Sequence, residues 1–78
     1  MKYVYILQSI NSVHFYVGIT DNLCARLAKH NAGEVPHTSK HLPWRLKTYV
    51  AFDDEKQAFH FEKYLKSPSG RAFAKKRL

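Results

Sequence analysis

Arg26 and His30 are the first pair of residues in this sequence whose types and spacing could do chemistry. They lie four residues apart in a segment predicted to be helical, so they project from the same side and can reach one anion together. Arginine binds a phosphate through a fixed fork of donors, while histidine can transfer a proton near neutral pH. The structural alternative for this pair is a solvated helix face that only adds charge.

Tyr5 and Tyr16 form the second group, on the same face of a predicted β-hairpin. A loop centred between them would place the two rings directly opposite each other. Such cross-strand pairs usually serve packing. A phenol can also orient a water molecule or act as a general base, if cations such as Arg26 and a bound metal lower its pKa from about 10.

Glu62 is the single carboxylate whose position in a predicted helix is unusual. On a helical wheel it lies at the edge of an apolar arc formed by Ala58, Phe61 and Leu65, so it faces inward or into a cleft. Burial of an unpaired carboxylate is costly, so Glu62 needs a basic partner or a metal ion that uses it as a hard oxygen ligand. A structural ion pair and a functional role both remain open at this point.

Elements in the order β-β-α-β-α, followed by a last short basic helix, are predicted to position these residues. The predicted strands cover 2–8, 14–20 and 45–52, and the predicted helices cover 23–30, 53–66 and 71–78. Asp21, Asn22 and Asp54 are suitable helix N-caps. Residues 67–70 contain Pro68 and Gly70 and separate the last two helices, and residues 34–44 are predicted to form a surface loop.

Strand alternation divides the predicted sheet into two faces. One face carries a core layer of Val4, Ile6, Phe15, Val17 and Ile19. The opposite face carries Tyr3, Tyr5, Tyr16 and Gly18. In the third strand, one face is predicted to hold Leu46, Thr48 and Val50, and the other Lys47 and Tyr49.

The charge of the chain is concentrated at its C-terminal end. Thirteen basic and six acidic residues give a formal charge of +7 and a pI of about 9.8, which favours a polyanionic partner, nucleic acid ahead of an anionic membrane. Six basic residues and no acidic residue follow Glu62: Lys63, Lys66, Arg71, Lys75, Lys76 and Arg77. We expect them to line or flank a nucleic-acid-binding surface, and the alternative is a frayed, solubilising terminus.

Length and composition predict one small domain over residues 1–78 and exclude a large enzyme with its own cofactor domain. The one cysteine, Cys24, cannot form an internal disulfide and is predicted to be a small buried apolar residue. The longest apolar run, Tyr3 to Leu7, is too short for a membrane span or a signal-peptide core. We therefore expect a cytoplasmic protein, monomeric or homodimeric, with no membrane partner.

These residues together resemble the GIY-YIG nuclease superfamily, over essentially the whole chain. Tyr3-Val4-Tyr5 stands where Gly-Ile-Tyr is expected, and Tyr16-Val17-Gly18 stands where Tyr-Ile-Gly is expected. Arg26, His30 and Glu62 then follow in order at suitable distances. The sequence departs from the pattern in two ways: Tyr3 replaces the first glycine, and no asparagine follows Asn31 to match the one near the end of many members. The chain looks like the minimal, stand-alone bacterial branch of the superfamily.

The resemblance implies a small α/β (α+β) fold, a three-stranded mixed or antiparallel sheet flanked by helices. It also implies metal-dependent endonuclease activity on phosphodiester bonds, in DNA ahead of structured RNA, with Mg²⁺ or Mn²⁺ and no small-molecule cofactor. Tyr5 and Tyr16 match the motif tyrosines, one of which acts as or positions the general base. Arg26 matches the arginine that stabilises the phosphate, and His30 matches a position that assists proton transfer. Glu62 matches the metal-binding carboxylate.

Two alternatives from other functional classes stay open on the sequence. One is a non-catalytic nucleic-acid-binding module that keeps the fold and the charge. The other is a small partner subunit of a DNA repair or mobile-element protein, which would use an exposed strand edge or the basic terminus.

Overall fold

The structure, a computed structural model, describes all residues from 1 to 78 and contains three strands and three helices. The elements are β1 Lys2–Ser9, β2 Phe15–Thr20, α1 Leu23–Asn31, β3 Trp44–Phe52, α2 Glu55–Leu65 and α3 Pro68–Arg77. The strands form one antiparallel sheet in the order β2-β1-β3, with β1 in the centre. The predicted fold class and element order are confirmed, and the sheet is antiparallel throughout. None of the three helices is long and apolar enough to cross a membrane.

Each helix begins at a polar residue whose side chain accepts a backbone N–H group. Asn22 accepts from Ala25, Asp54 from Lys56, and Ser67 from Gly70. Helix α3 begins three residues earlier than predicted, because Pro68 lies in its first turn. Backbone N–H groups there have no acceptor within the helix, so the missing N–H of proline costs no hydrogen bond. Residues 68–70, predicted to break the helical pattern, therefore belong to α3.

The sheet is covered on both faces, so the hydrophobic core has two halves. On one face Val4 and Ile6 pack with Ala58 and Leu65 of α2. On the other face Tyr5, Leu7 and Trp44 pack with Leu23 and Leu27 of α1. Helix α1 thus lies on the face that carries the motif tyrosines, while α2 and α3 lie on the opposite face.

A β-bulge in β3 changes two of the predicted side-chain directions. Ile6 pairs with Thr48 but Leu7 pairs with Leu46, so Lys47 is an extra residue in β3. Leu46 consequently joins the Leu7 half of the core instead of facing the same way as Thr48. The prediction that Leu46, Thr48 and Val50 share a face is wrong for Leu46, because strict alternation does not hold across a bulge.

Two residues predicted to be buried are exposed. Phe15 lies at the start of β2 with 56% of its surface accessible, since no helix covers that corner of the sheet. Cys24 is exposed because α1 contacts the sheet through Leu23, Leu27 and His30, which leaves Cys24 on the outer side of the helix.

Helix α3 is docked against the core rather than frayed. Ala74 and Leu78 pack against the Val4 and Ile6 half of the core. Gly70 is buried where α3 crosses the end of α2, and a Cβ atom there would lie 1.7 Å from the carbonyl oxygen of Tyr64. This close approach of the two backbones requires glycine. The basic C-terminal segment is therefore an integral element of the fold.

Candidate active site

The two motif tyrosines are diagonal neighbours across β1 and β2. Tyr5 pairs with Gly18, and Tyr16 pairs with Leu7. The prediction that the rings stand directly opposite each other is therefore wrong, because the two tyrosines are offset by two residues along the strands. Both side chains still point to the α1 face, and their ring centroids are 6.3 Å apart. The residue directly opposite Tyr5 is thus a glycine.

Gly18 provides the space that the Tyr5 side chain occupies. A Cβ atom at Gly18 would lie 2.4 Å from the Tyr5 hydroxyl oxygen and 2.9 Å from a ring carbon of Tyr16. Real Cβ atoms do not approach other atoms this closely, so any larger residue would displace the Tyr5 ring. The glycine of the second motif therefore determines where the phenol of the first motif lies.

The Tyr5 hydroxyl group makes hydrogen bonds with two residues of α1. Its oxygen lies 2.9 Å from Nε2 of His30, and the Nε–H of Arg26 donates to it over 3.4 Å. The Tyr16 ring lies beside His30, with the centroids 4.9 Å apart. The spacing of Arg26 and His30 by one helical turn thus brings both residues to one phenol, while their predicted joint contact with an anion stays a prediction.

Thr38 and Val35 form a buried hydrogen-bond chain with His30. The Thr38 hydroxyl donates to the carbonyl oxygen of Val35 over 3.3 Å, and its oxygen lies 2.8 Å from Nδ1 of His30. We assign the single hydroxyl proton of Thr38 to Val35, and with that assignment Nδ1 of His30 carries the proton that Thr38 accepts. Nε2 of the neutral ring is then the acceptor, and the Tyr5 O–H donates to it.

Thr38 belongs to the segment that was predicted to be a surface loop. It is fully buried, and its carbonyl oxygen accepts the indole N–H of Trp44 over 2.9 Å. The Asn31 side chain bonds both the N–H and the C=O of Trp44, which ties the end of α1 to the start of β3. Sequence reasoning missed Thr38, because one threonine in a polar, proline-flanked segment carries no periodic signal.

We call Tyr5, Tyr16, Arg26 and His30 the Tyr5 cluster. Burial has the largest effect on the ionisation of its side chains. It raises the pKa of Tyr5, and the hydrogen bond from Arg26, which acts in the opposite direction, is too weak to reverse the shift. It also lowers the pKa of His30, and the charge of Arg26 adds to that effect. Arg26 acts to lower the pKa of the phenol, as expected, but burial outweighs it in the protein alone. Near neutral pH, Tyr5 is a protonated phenol and His30 is a neutral base.

Glu62 lies on α2, and its ion-pair partner is Lys66 of the same segment rather than a residue beside Tyr5. Its side chain is 18% accessible, and its Oε2 forms an ion pair with Nζ of Lys66 at 2.5 Å. The carboxylate is close enough to Tyr5 to contribute to the raised pKa of the phenol. Its other oxygen, Oε1, has no protein partner and is not fully buried. One hard carboxylate oxygen of this kind fits Mg²⁺, which binds through one or two carboxylates with water and phosphate oxygens completing its shell.

Comparisons with known proteins agree with this geometry. Residues 1–77 match the family described as the GIY-YIG catalytic domain. The chain belongs to the GIY-YIG family.

Three similar proteins are GIY-YIG relatives of about this size that carry the name UPF0213. One from Lacticaseibacillus paracasei is 40% identical over 65 residues, which cover 82% of this chain and 72% of that protein. One from Streptococcus pyogenes serotype M3 is 35% identical over 71 residues, which cover 90% of this chain and 76% of that protein. The solution NMR structure of the UPF0213 protein BH0048 from Bacillus halodurans is 31% identical, with a TM-score of 0.58 and coverage of 96% and 81% of the two chains.

Membership of the GIY-YIG family implies a nuclease-type function and DNA binding for this chain. The GIY-YIG nucleases generally use divalent metals. The residues that carry the resemblance come from four separate elements, β1, β2, α1 and α2, and Gly18, Arg26 and His30 lie directly against the Tyr5 hydroxyl group. What each residue does in this chain is a proposal, argued below.

The basic residues of the C-terminal segment do not all lie on one surface of the GIY-YIG domain. Lys66, Arg71 and Lys75 line a groove of about 760 Å³, and Tyr16 and Lys47 line it as well. Lys63, Lys76 and Arg77 are exposed elsewhere on α2 and α3. The prediction of nucleic-acid contacts therefore stays a prediction for all six residues, and the geometry divides them into two sets. Lys47 has a place in the groove only because of the β-bulge.

Proposed function

We propose that this GIY-YIG protein is an endonuclease that hydrolyses phosphodiester bonds in DNA with Mg²⁺ or Mn²⁺. One observation carries the proposal. The Tyr5 hydroxyl oxygen lies 2.9 Å from the acceptor nitrogen of His30 and 3.4 Å from Nε of Arg26, with Glu62 close enough to affect its pKa. A proton acceptor and a fixed cation at one hydroxyl group, with a hard oxygen ligand whose charge acts on it, are the parts that phosphodiester hydrolysis needs.

The hydrogen-bond directions define a route for the proton of the attacking water. With Nε2 of His30 as the acceptor, Tyr5 donates its own proton to it, and the one oxygen lone pair that the Nε–H of Arg26 does not use is free to accept. In the proposed step, Tyr5 takes a proton from the water while its own proton passes to Nε2 of His30. The water oxygen forms a bond to phosphorus, the bond from phosphorus to the leaving sugar oxygen breaks, and that oxygen takes a proton from solvent. Tyr5 is thus unchanged by the step, which suits a phenol whose pKa is raised.

The imidazolium of His30 that results keeps its hydrogen bond to Thr38. Its Nδ1–H donates to the Thr38 hydroxyl oxygen both before and after the transfer, so Nε2 is the only nitrogen of His30 whose protonation changes. Because Arg26 disfavours a positive charge on His30, the imidazolium loses its proton to solvent readily once the product leaves. This returns the cluster to its starting state.

Arg26 and Glu62 are proposed to act on the phosphate. The Arg26 guanidinium donates through Nε to Tyr5, which leaves its terminal N–H groups able to bind a phosphate oxygen. Glu62 would hold Mg²⁺ or Mn²⁺ through Oε1, in competition with its ion pair to Lys66. When bound there, the ion would polarise the phosphate as a Lewis acid.

A cleavage assay with paired variants tests the proposal. Supercoiled, branched and single-stranded DNA are incubated with Mg²⁺ or Mn²⁺ and with wild type, Glu62→Gln or Arg26→Ala. We expect each variant to lose roughly a hundredfold in rate, as is typical when one charged group of a catalytic site is removed. The matched controls are Glu34→Gln and Lys29→Ala, which change the same types of charge at exposed positions outside the cluster.

The outcomes separate the enzyme from its alternatives. Cleavage that persists undiminished in both site variants points to a contaminating nuclease and defeats the site assignment. Metal-independent DNA binding without cleavage by wild type, on all three DNA forms, favours the non-catalytic module instead. Equal loss in the site variants and in the controls would mean that overall charge, rather than the Tyr5 cluster, determines the rate.

A further inference from the structure

A groove with apolar and basic walls lies on the side of the sheet covered by α2 and α3. Its volume is about 760 Å³. Val13 and Phe15 form one wall, Leu65 and Ala74 form part of the other, and Tyr16 lies where the groove meets the cluster. We call this feature the α3 groove. Neither the relatives' names nor the family description assigns a role to it.

The charge of the α3 groove is entirely positive. Lys47 comes from β3, Lys66 from the end of α2, and Arg71 and Lys75 from α3, while no aspartate or glutamate lines the groove. One of these four cations forms an ion pair: Lys66 pairs with Glu62. Four cations from three different elements on one concave surface favour an extended anion rather than a small one.

The apolar wall is unusual for a surface that only contacts phosphates. Phe15 is 56% accessible and Val13 is 87% accessible, and the Lys47 ammonium lies 5.6 Å from the centroid of the Phe15 ring. A DNA duplex keeps the flat faces of its bases inside the stack and offers a protein phosphates and groove edges. An unpaired strand offers phosphates and free base faces together, which match cations and an exposed aromatic ring.

We propose that the α3 groove binds an unpaired DNA strand, with at least one base stacked on Phe15 and its phosphates on Lys47, Lys66, Arg71 and Lys75. The inference rests on the proposed function, because two residues connect the groove to the candidate site: Tyr16 lines the groove and lies beside His30, and Lys66 lines the groove and pairs with Glu62. The substrate class is then DNA with a single-stranded segment next to the cleaved bond.

The chain contains a matched control for Phe15. In α2, Phe59 is 46% accessible, and the Lys2 ammonium lies 5.9 Å from its ring centroid. The two phenylalanines therefore have the same side chain, similar exposure and a similar lysine neighbour, but Phe59 does not line the groove. Any effect of losing an exposed aromatic ring in general will be the same at both positions.

The test is a binding measurement in EDTA, so that it does not depend on cleavage. Two fluorescent DNA probes are titrated with each variant and followed by anisotropy: an oligothymidylate of roughly ten nucleotides, and a hairpin whose duplex stem has the same number of base pairs. We expect wild type to bind the single strand more tightly than the duplex. Phe15→Ala should weaken single-strand binding roughly tenfold, the lower part of the range for one lost base stack, with little change for the duplex. Phe59→Ala should bind like wild type.

A second variant covers a failure to fold. Phe15→Leu keeps the apolar bulk and removes the flat aromatic face, so it should weaken single-strand binding while its melting temperature stays near that of wild type. Equal losses for Phe15→Ala and Phe59→Ala, or tighter binding of the duplex, would overturn the inference. So would a shift from dimer to monomer on Phe15→Ala, which would assign the groove to a second copy of the chain, or a preference for phosphatidylglycerol vesicles over the oligonucleotide.

The failures of the two proposals are distinguishable. If wild type binds the single strand through Phe15 but no DNA is cleaved with Mg²⁺ or Mn²⁺, the proposed function fails and the groove assignment stands. If DNA is cleaved through Glu62 and Arg26 while Phe15→Ala has no effect on single-strand binding, only the groove assignment fails.

Discussion

Thr38 and His30 are joined by a buried bond of 2.8 Å between the threonine hydroxyl oxygen and Nδ1 of the imidazole. Thr38 is held in turn by Val35 and by the indole N–H of Trp44. The loop that connects α1 to β3 therefore determines which nitrogen of His30 faces Tyr5 as an acceptor. In the proposed reaction, Thr38 acts through His30 and is a positioning residue.

Thr38→Val should lower the cleavage rate and shift its pH dependence. The variant keeps the volume of the side chain but leaves Nδ1 of His30 without an acceptor, which disfavours the imidazolium and lowers the pKa of His30 further. The acid limb of the pH–rate profile should then move to lower pH, and kcat should fall more than KM changes. The loss of this buried hydrogen bond should also cost about 1–3 kcal/mol of stability.

Thr38→Ser is the matched control for that variant, because it keeps the hydroxyl group and loses only a methyl group. We expect it to restore the wild-type pH profile even where its stability is slightly reduced. A purely structural role would be revealed by a Thr38→Val enzyme that is less stable but has an unchanged pH profile.

The stability of the fold should fall as His30 becomes protonated. Burial lowers the folded-state pKa of His30 below its ordinary value of 6.5, so the unfolded chain binds the proton more readily. The stabilisation is therefore complete above pH 6.5 and is lost as the pH falls from there through the lower folded-state pKa. Thermal unfolding of wild type and His30→Gln at about pH 7.5 and about pH 5 measures this, because the other titrating groups cancel in the comparison. A wild-type protein that loses no more stability than His30→Gln would contradict it.

Gly18→Ala should reduce activity by displacing Tyr5. The new Cβ atom would meet the Tyr5 hydroxyl oxygen at 2.4 Å, so the phenol must move away from His30. Misplacement of a catalytic group by about 1 Å can cost roughly a hundredfold in rate, and we expect a loss of that order in kcat. In a Tyr5→Phe background the same substitution should add little, because the hydroxyl group is already absent. Additive losses in the double variant would show that Gly18 acts independently of the Tyr5 hydroxyl.

Gly70→Ala should destabilise the fold through the packing of α3 on α2. The Cβ atom would lie 1.7 Å from the Tyr64 carbonyl oxygen, a backbone atom that no rotamer change can move. Overpacking of this kind typically costs about 1–3 kcal/mol, which in a domain of this size lowers the melting temperature by at least about 4 °C. Ala72→Ser, at an exposed position of the same helix, should leave the melting temperature unchanged. An equal melting temperature for Gly70→Ala would mean that α3 does not dock as described.

Removal of charge in the α3 groove should lower both DNA affinity and its salt dependence. Arg71→Gln with Lys75→Gln removes two cations that line the groove, so the slope of log affinity against log salt should fall by about two units. Lys76→Gln with Arg77→Gln removes the same charge outside the groove and should have a smaller effect. Deletion of the residues after Ser69 is a poor substitute for this test, because it also removes Ala74 and Leu78 from the core. Equal slopes for the two double variants would place the DNA elsewhere.

Local pattern was enough to predict the elements and the candidate residues. The period-2 and helical patterns and the polar N-caps depend on neighbours in sequence, so β1, β2, α1, β3 and α2 were predicted to within about two residues. The pair Arg26 and His30 was recognisable for the same reason, since residues four apart on a helix lie on the same side, one turn apart. The errors at Leu46 and Phe15 arose where a bulge or an uncovered corner of the sheet broke the pattern.

The sequence by itself determined the residue types of the site, their order and the uneven charge of the chain. The tertiary structure decided which of them meet: Tyr5 over Gly18, His30 between Tyr5 and Thr38, and Lys47 beside Arg71 and Lys75 in the α3 groove. These contacts join residues from different elements, so they depend on strand register, on the bulge and on the docking of α3. Such relationships are set by burial of the whole core at once, and no single segment of the chain carries them.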